Sequence, residues 1–127
     1  MANWLWVALG GAAGSVARYG LGVQAGRWLG HGWPWGTFAA NVAGGLAMGA
    51  LAAWLVHRGG GDQERWRLLL GVGLLGGFTT FSAFSLETVL MIERRETAAA
   101  LLYVFLSVML AIGAVFLGLF FGRRLFA

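Results

Sequence analysis

The residues equipped for chemistry crowd into one stretch, Gly76-Gly77-Phe78-Thr79-Thr80-Phe81-Ser82-Ala83-Phe84-Ser85-Leu86-Glu87. Glycines, hydroxyls, aromatic rings and an acid sit there inside a run that is otherwise apolar. Polar atoms and loosened backbone are costly in hydrocarbon, so their concentration needs a reason. Gly71, Gly73, Gly76 and Gly77 lead into the cluster, and each glycine costs a helix about 1 kcal/mol relative to alanine. With Thr79-Thr80 they predict a helix break at 76–80. Carbonyls freed between Gly76 and Thr79 then require a partner, and a hard cation such as Na+ is one that backbone oxygens can serve.

Other groups add to this chemistry. Asn41 is the one strongly polar side chain in its apolar run; its amide either ties two helices together or donates N–H to a permeating anion. Phe81 and Phe84, three apart, share a helical face. They serve packing, or they present the positive ring edge to a small anion without a fixed cation that would trap it. Thr79, Thr80, Ser82 and Ser85 bring hydroxyls, which in spans commonly bond back to a carbonyl one turn away. Tyr103 and Ser107, at i and i+4, form a hydroxyl track or cap neighbouring backbone. Glu87 is the one acid within an apolar run; it is functional or reaches the interface. His31 and His57 lie in loops or at span ends, far in sequence from the serines, so no nucleophile–base pair can be argued. Metal-ligand clusters, Walker loops and G-x-S-x-G elbows do not occur.

These groups need membrane helices to position them. Of 127 residues, 59% are hydrophobic and 11% charged, against about 25% charged in soluble domains, and the mean hydropathy is +0.75. The absence of cysteine excludes disulfide and thiolate chemistry. Nine arginines, no lysine and five acids give a net charge of +4. The arginines edge the apolar runs, which suits lipid headgroups and water, so no nucleic-acid partner is expected. No charged side chain precedes Arg18, so the first run lacks the basic start of a signal peptide and reads as a retained span.

The predicted architecture is an all-α membrane protein with four transmembrane helices in one domain over 1–127. The spans are about 3–24, 36–56, 66–91 with the break at 76–80, and 97–122. Small-xxx-small spacings (Gly10/Gly14, Gly22/Gly26) and the glycines at 44, 45 and 49 allow close backbone approach. Four spans put both termini on one side. Five arginines (58, 65, 67, 123, 124) then face four (18, 27, 94, 95), an imbalance too small to fix orientation. Dual topology is permitted.

Three motifs in order resemble the CrcB/Fluc fluoride channels, over nearly the whole chain: Gly11-Ala12-Ala13-Gly14-Ser15-Val16-Ala17-Arg18-Tyr19, Gly36-Thr37-Phe38-Ala39-Ala40-Asn41-Val42-Ala43-Gly44 and the Gly76–Glu87 stretch. The resemblance implies an antiparallel dual-topology homodimer in the inner (cytoplasmic) membrane. Two fluoride pores at its interface would export fluoride passively and so reduce its toxicity. On the same grounds Asn41 corresponds to the pore asparagine, and Phe81 and Phe84 to the paired pore phenylalanines. Thr80 and Ser82 join them as pore hydroxyls, Tyr103 and Ser107 form a fourth-span polar track, and Arg18 lies near an aqueous vestibule. Backbone carbonyls of Gly76 and Thr79 from both subunits would hold a central Na+, structural and not transported. Two departures stand out: Ala83 where the motif often has threonine, and Ala111, without a hydroxyl, one turn past Ser107.

Two other classes compete. A small multidrug-type transporter requires an embedded acid in its first span, yet the first acid of this chain is Asp62. A non-transporting membrane assembly subunit needs only glycine faces and aromatic belts, which leaves the polar cluster at 79–85 unexplained.

Overall fold

Glycine-lined faces decide how the helices meet. The computed structural model describes residues 2–127, among which every regular element is helical. Helix α1 covers Ala2–Leu29 and α2 covers Trp35–Arg58. After a 3-10 turn at Gly60–Asp62, α3 (Gln63–Trp66) winds on as a π-helix over Arg67–Leu75 and then as α4 (Gly76–Phe78). Helix α5 spans Ser82–Glu93 and α6 spans Thr97–Phe126.

Three helical runs are long and apolar enough to cross a membrane: Trp35–Arg58, Gly60–Glu93 and Thr97–Phe126. The expected first span forms a helix of 28 residues but falls outside that class. Its six glycines, with Asn3, Arg18, Gln24 and Arg27, dilute its apolar content. The helix also runs past the expected boundary, so Arg18 lies well inside it and not near its end.

Helices α1 and the π-helical stretch run side by side in the same direction. A β-carbon on Gly10 would stand 3.0 Å from the Gly73 Cα, and one on Gly14 would stand 2.8 Å from the Phe78 nitrogen. Helices α2 and α6 are likewise parallel, with Gly49 against Gly118, Ala53 against Gly122, and the Arg58 Nε donating to the Phe126 carbonyl at 3.0 Å. Contact this close between backbones is what drives helix association where lipid removes the hydrophobic incentive.

Within the expected 76–80 the glycines themselves stay helical, and only Thr79 and Thr80 leave the helix. Gly71 and Gly73 are wound into the π-helix, the Gly76 N–H bonds the Gly71 carbonyl five residues back, and Gly76–Phe78 remain helical. The interruption falls at Thr79–Phe81, where Thr79 is extended with φ −89° and ψ 159°. The glycines act through close packing against α1, so their helix cost is offset by tertiary contact. A π-helix of this length is uncommon, and such stretches concentrate at functional sites.

The core gathers beside the interruption. Phe84, Met91, Ala100 and Tyr103 are buried, with Trp33 and Phe38 packed against them. Aromatic and basic residues mark the two ends of the helices. At one end Arg65 lies 5.5 Å from the Trp6 ring and Trp66 meets Trp54 edge-on at 6.0 Å, as in a membrane-interface belt.

Candidate functional site

The backbone around Thr79–Phe81 leaves the helical hydrogen-bond pattern, and Asn41 of α2 takes over part of it. The Thr80 N–H donates to Asn41 Oδ1 at 2.8 Å, and Asn41 Nδ2 donates to the Thr80 carbonyl at 3.0 Å. One side chain thus satisfies both backbone groups of one residue. Thr80 Oγ1 in turn accepts the Ala83 N–H at 3.1 Å, capping the start of α5 as a threonine at a helix N-terminus does.

Several carbonyls are released by this arrangement, those of Gly76 and Thr79 among them. In a continuous helix the Thr80 N–H would serve the Gly76 carbonyl, and the Ala83 N–H would serve that of Thr79. Both donors are engaged elsewhere, and neither carbonyl accepts a backbone bond among the described residues outside the helices. Of the two carbonyls between them in sequence, that of Gly77 accepts from Arg18 Nε at 3.2 Å, while that of Phe78 accepts no backbone bond outside the helices among the described residues. Arg18 therefore sits behind the interruption, half-buried, holding one carbonyl and leaving Gly76, Phe78 and Thr79 with uncommitted oxygens. Hard oxygen donors of this kind fit Na+, which takes backbone carbonyls in place of its water.

An open groove of about 580 Å³ runs past the interruption. Asn41, Thr80, Phe81, Phe84 and Ser107 line it, together with Gly76 and Thr79. Phe81 is 78% exposed and Phe84 only 8%, with ring centroids 5.6 Å apart and planes at 50°. Ser107 is 5% exposed, and its buried Oγ has no hydrogen-bond partner. An orphaned hydroxyl in a low-dielectric wall costs about 1–3 kcal/mol, a cost that a ligand accepting its proton would remove. The groove carries no charged side chain.

Other expected residues lie elsewhere. Tyr103 is fully buried behind Phe84, centroid to centroid 5.2 Å, and does not line the groove. Its hydroxyl donates to Glu87 Oε1 at 3.2 Å, while Thr37 Oγ1 donates to Glu87 Oε2 at 3.0 Å. Tyr103 and Ser107 are thus separated by what they face, despite their i, i+4 spacing. Both oxygens of Glu87 are taken, and its side chain also lines a cavity at the helix end with His31, Trp35 and Arg94. Ser82 is exposed, with its Oγ 3.4 Å from that of Thr80. Thr79 Oγ1 and Ser85 Oγ bond back to the Leu75 and Phe81 carbonyls, each at 2.8 Å. Thr37 is the site residue that sequence reasoning missed. Its position one turn before Asn41, on the same face of α2, was the available signal.

A family model described as "CrcB-like protein, Camphor Resistance (CrcB)" matches residues 5–119. The chain belongs to the CrcB family. The match spans every residue of the site from Arg18 to Ser107. Over 123 residues, 97% of each chain, this CrcB protein is 67% identical to a fluoride-specific ion channel FluC of Phenylobacterium zucineum (strain HLK1). A FluC of Caulobacter sp. (strain K31) is 61% identical over 127 residues, covering 100% of this chain and 99% of its own. One from Hyphomonas neptunium is 53% identical over 127 residues and the full length of both chains. With three helical runs apolar enough to span, this CrcB chain is a multi-pass membrane protein.

Proposed function

We propose that this CrcB chain is a fluoride-specific ion channel, through which fluoride leaves the cell passively across the cytoplasmic membrane. It is a channel and not an enzyme. The observation that supports this reading best, beside the full-length similarity to FluC channels, is the make-up of the groove. A buried serine hydroxyl without a partner, an asparagine amide and two phenylalanine rings face one another, with no lysine, arginine or histidine among the lining residues. Fluoride is small and strongly hydrated, so a pathway must replace its water by donors while letting it leave. Uncharged N–H and O–H groups and positive ring edges meet both demands.

The groove is open along one side, and we assign its missing wall to a second, antiparallel copy of the chain. Two such grooves in the dimer give two pores. Phe81, largely exposed in the single chain, becomes a pore wall in this arrangement, and Asn41, Thr80, Phe84 and Ser107 complete it. Tyr103 contributes from behind, by fixing Glu87 and backing Phe84. The released carbonyls of Gly76 and Thr79, taken from both copies, would hold Na+ at the dimer centre. When bound there, it supplies a fixed positive charge beside the pathway and is not transported. Arg18 keeps the Gly77 carbonyl out of that set.

The multidrug-exporter reading lacks its acid, because α1 contains neither aspartate nor glutamate. The assembly-subunit reading gives no role to the orphaned Ser107 hydroxyl. Fluoride efflux from proteoliposomes separates these classes. The reconstituted chain is expected to empty vesicles of fluoride far faster than the lipid alone, and efflux no faster than from empty vesicles ends the channel reading. Phe81→Ile should keep the fold, since that ring is mostly exposed, and slow efflux by roughly tenfold, as expected for loss of a quadrupole edge contact of about 1 kcal/mol. Unchanged efflux would remove Phe81 from the pathway.

A further inference from the structure

The charges at the two ends of the helices are unevenly matched. Among the described residues the ion pairs are Arg65–Asp62, Arg67–Glu64 and Arg94–Glu96. At the end where α2 and α6 finish, Asp62 and Glu64 are therefore already paired. Arg58, Arg123 and Arg124 remain there without an acidic partner. Glu87 is held between Thr37 and Tyr103. Glu93, the remaining acid, precedes the opposite end of α6, roughly 40 Å away at 1.5 Å rise per residue.

A second groove lies against Arg123 and Arg124, one turn further along α6 from the end of the first. It encloses about 460 Å³ and is lined by Phe116, Leu119, Phe120, Arg123 and Arg124. These positions follow the i, i+3, i+4, i+7, i+8 rule, so they form one stripe along α6. Apolar side chains make its floor and two cations stand at its mouth. The Arg124 guanidinium lies 4.5 Å from the centroid of the Phe120 ring, a cation–π contact that holds it over the groove. Trp6 and Trp66 lie against Arg65, and Trp54 against Trp66, at the same end, which sets this level at the headgroup region.

We infer that this groove is a binding site for an anionic phospholipid. One acyl chain lies along Phe116, Leu119 and Phe120, and the phosphoryl headgroup is held by Arg123 and Arg124, with Arg58 adding charge nearby. The pattern of charge selects this occupant. Two arginines without an acidic partner at the mouth of an apolar floor complement a molecule that is anionic at one end and hydrocarbon at the other. A zwitterionic lipid fills the floor but returns no net charge, and a free phosphate meets the arginines but leaves the floor exposed.

The test uses the intact reconstituted protein, extracted in detergent and examined by native mass spectrometry after equilibration with phosphatidylglycerol and phosphatidylcholine of identical acyl chains. Arginines near a membrane surface contribute roughly fivefold each in affinity for anionic lipid. The wild-type chain is expected to retain phosphatidylglycerol over phosphatidylcholine. The double substitution R123Q/R124Q should cut that preference by roughly 25-fold, while R123K/R124K, which keeps the charge, retains most of it. Added glycerol phosphate should not displace the lipid. Equal retention of the two lipids by the wild-type chain would overturn the proposal. So would an R123Q/R124Q variant with an unchanged lipid ratio but an altered oligomeric state, because a second copy, through its Glu93, would then be the occupant.

Discussion

Asn41→Asp is expected to lower fluoride efflux by two to three orders of magnitude. The substitution is nearly isosteric, so it tests chemistry and not volume. In the native chain Asn41 Nδ2 donates to the Thr80 carbonyl while Oδ1 accepts the Thr80 N–H. An ionised carboxylate keeps the acceptor and loses the donor, and it turns an oxygen toward the Thr80 carbonyl. It also places a negative charge in the wall of a groove that has none. Two like charges 4 Å apart repel by about 4 kcal/mol at an effective dielectric of 20, which corresponds to about three decades in rate. The clamp takes the Thr80 N–H away from the Gly76 carbonyl, so Na+ dependence of the efflux should change as well. Proteoliposome efflux at fixed protein-to-lipid ratio checks this; a variant that conducts at the native rate would show that Asn41 is only a tie between helices.

Ser107→Ala carries the second large effect, with opposite signs for stability and function. Ser107 Oγ is buried and unpartnered, so its removal relieves a desolvation cost of about 1–3 kcal/mol. Thermal unfolding in detergent should therefore shift upward or stay unchanged. If that hydroxyl serves fluoride, its loss removes a hydrogen bond to a charged partner, worth about 1.5–3 kcal/mol, and efflux falls by roughly 10- to 100-fold. A stabilised protein with reduced flux is a signature that a merely structural serine cannot produce. A destabilised protein with native flux would assign Ser107 to packing.

The residues of the candidate site were legible because membrane helices tolerate few polar groups. Asn41, Thr80 and Ser107 stand out in apolar runs for that reason, and all three line one groove with Phe81 and Phe84. Which atoms they present was not legible. The Asn41 amide is engaged by Thr80, and the Tyr103 hydroxyl turns to Glu87 although Ser107, one turn later, faces the groove. Such choices depend on which donor meets which acceptor across helices distant in sequence. Glycine was read through its helix propensity, which placed the break at 76–80. Tertiary contact overrode that preference at the glycines by packing Gly10 and Gly73 together, so within 76–80 only Thr79 and Thr80, whose N–H Asn41 claims, leave the helix. Three helical runs are long and apolar enough to cross a membrane; α1, expected as the first of four spans, is helical throughout, but the glycines that suit it for packing reduce its apolar character.

The central claim is passive, fluoride-selective conduction through a pathway lined by uncharged side chains. The most direct measurement is the zero-current potential of the reconstituted chain in a planar bilayer under opposed fluoride, Na+ and proton gradients. The account predicts a potential set by the fluoride gradient alone, unmoved when Na+ or pH is changed on one side. A potential that followed the Na+ or the proton gradient would contradict it.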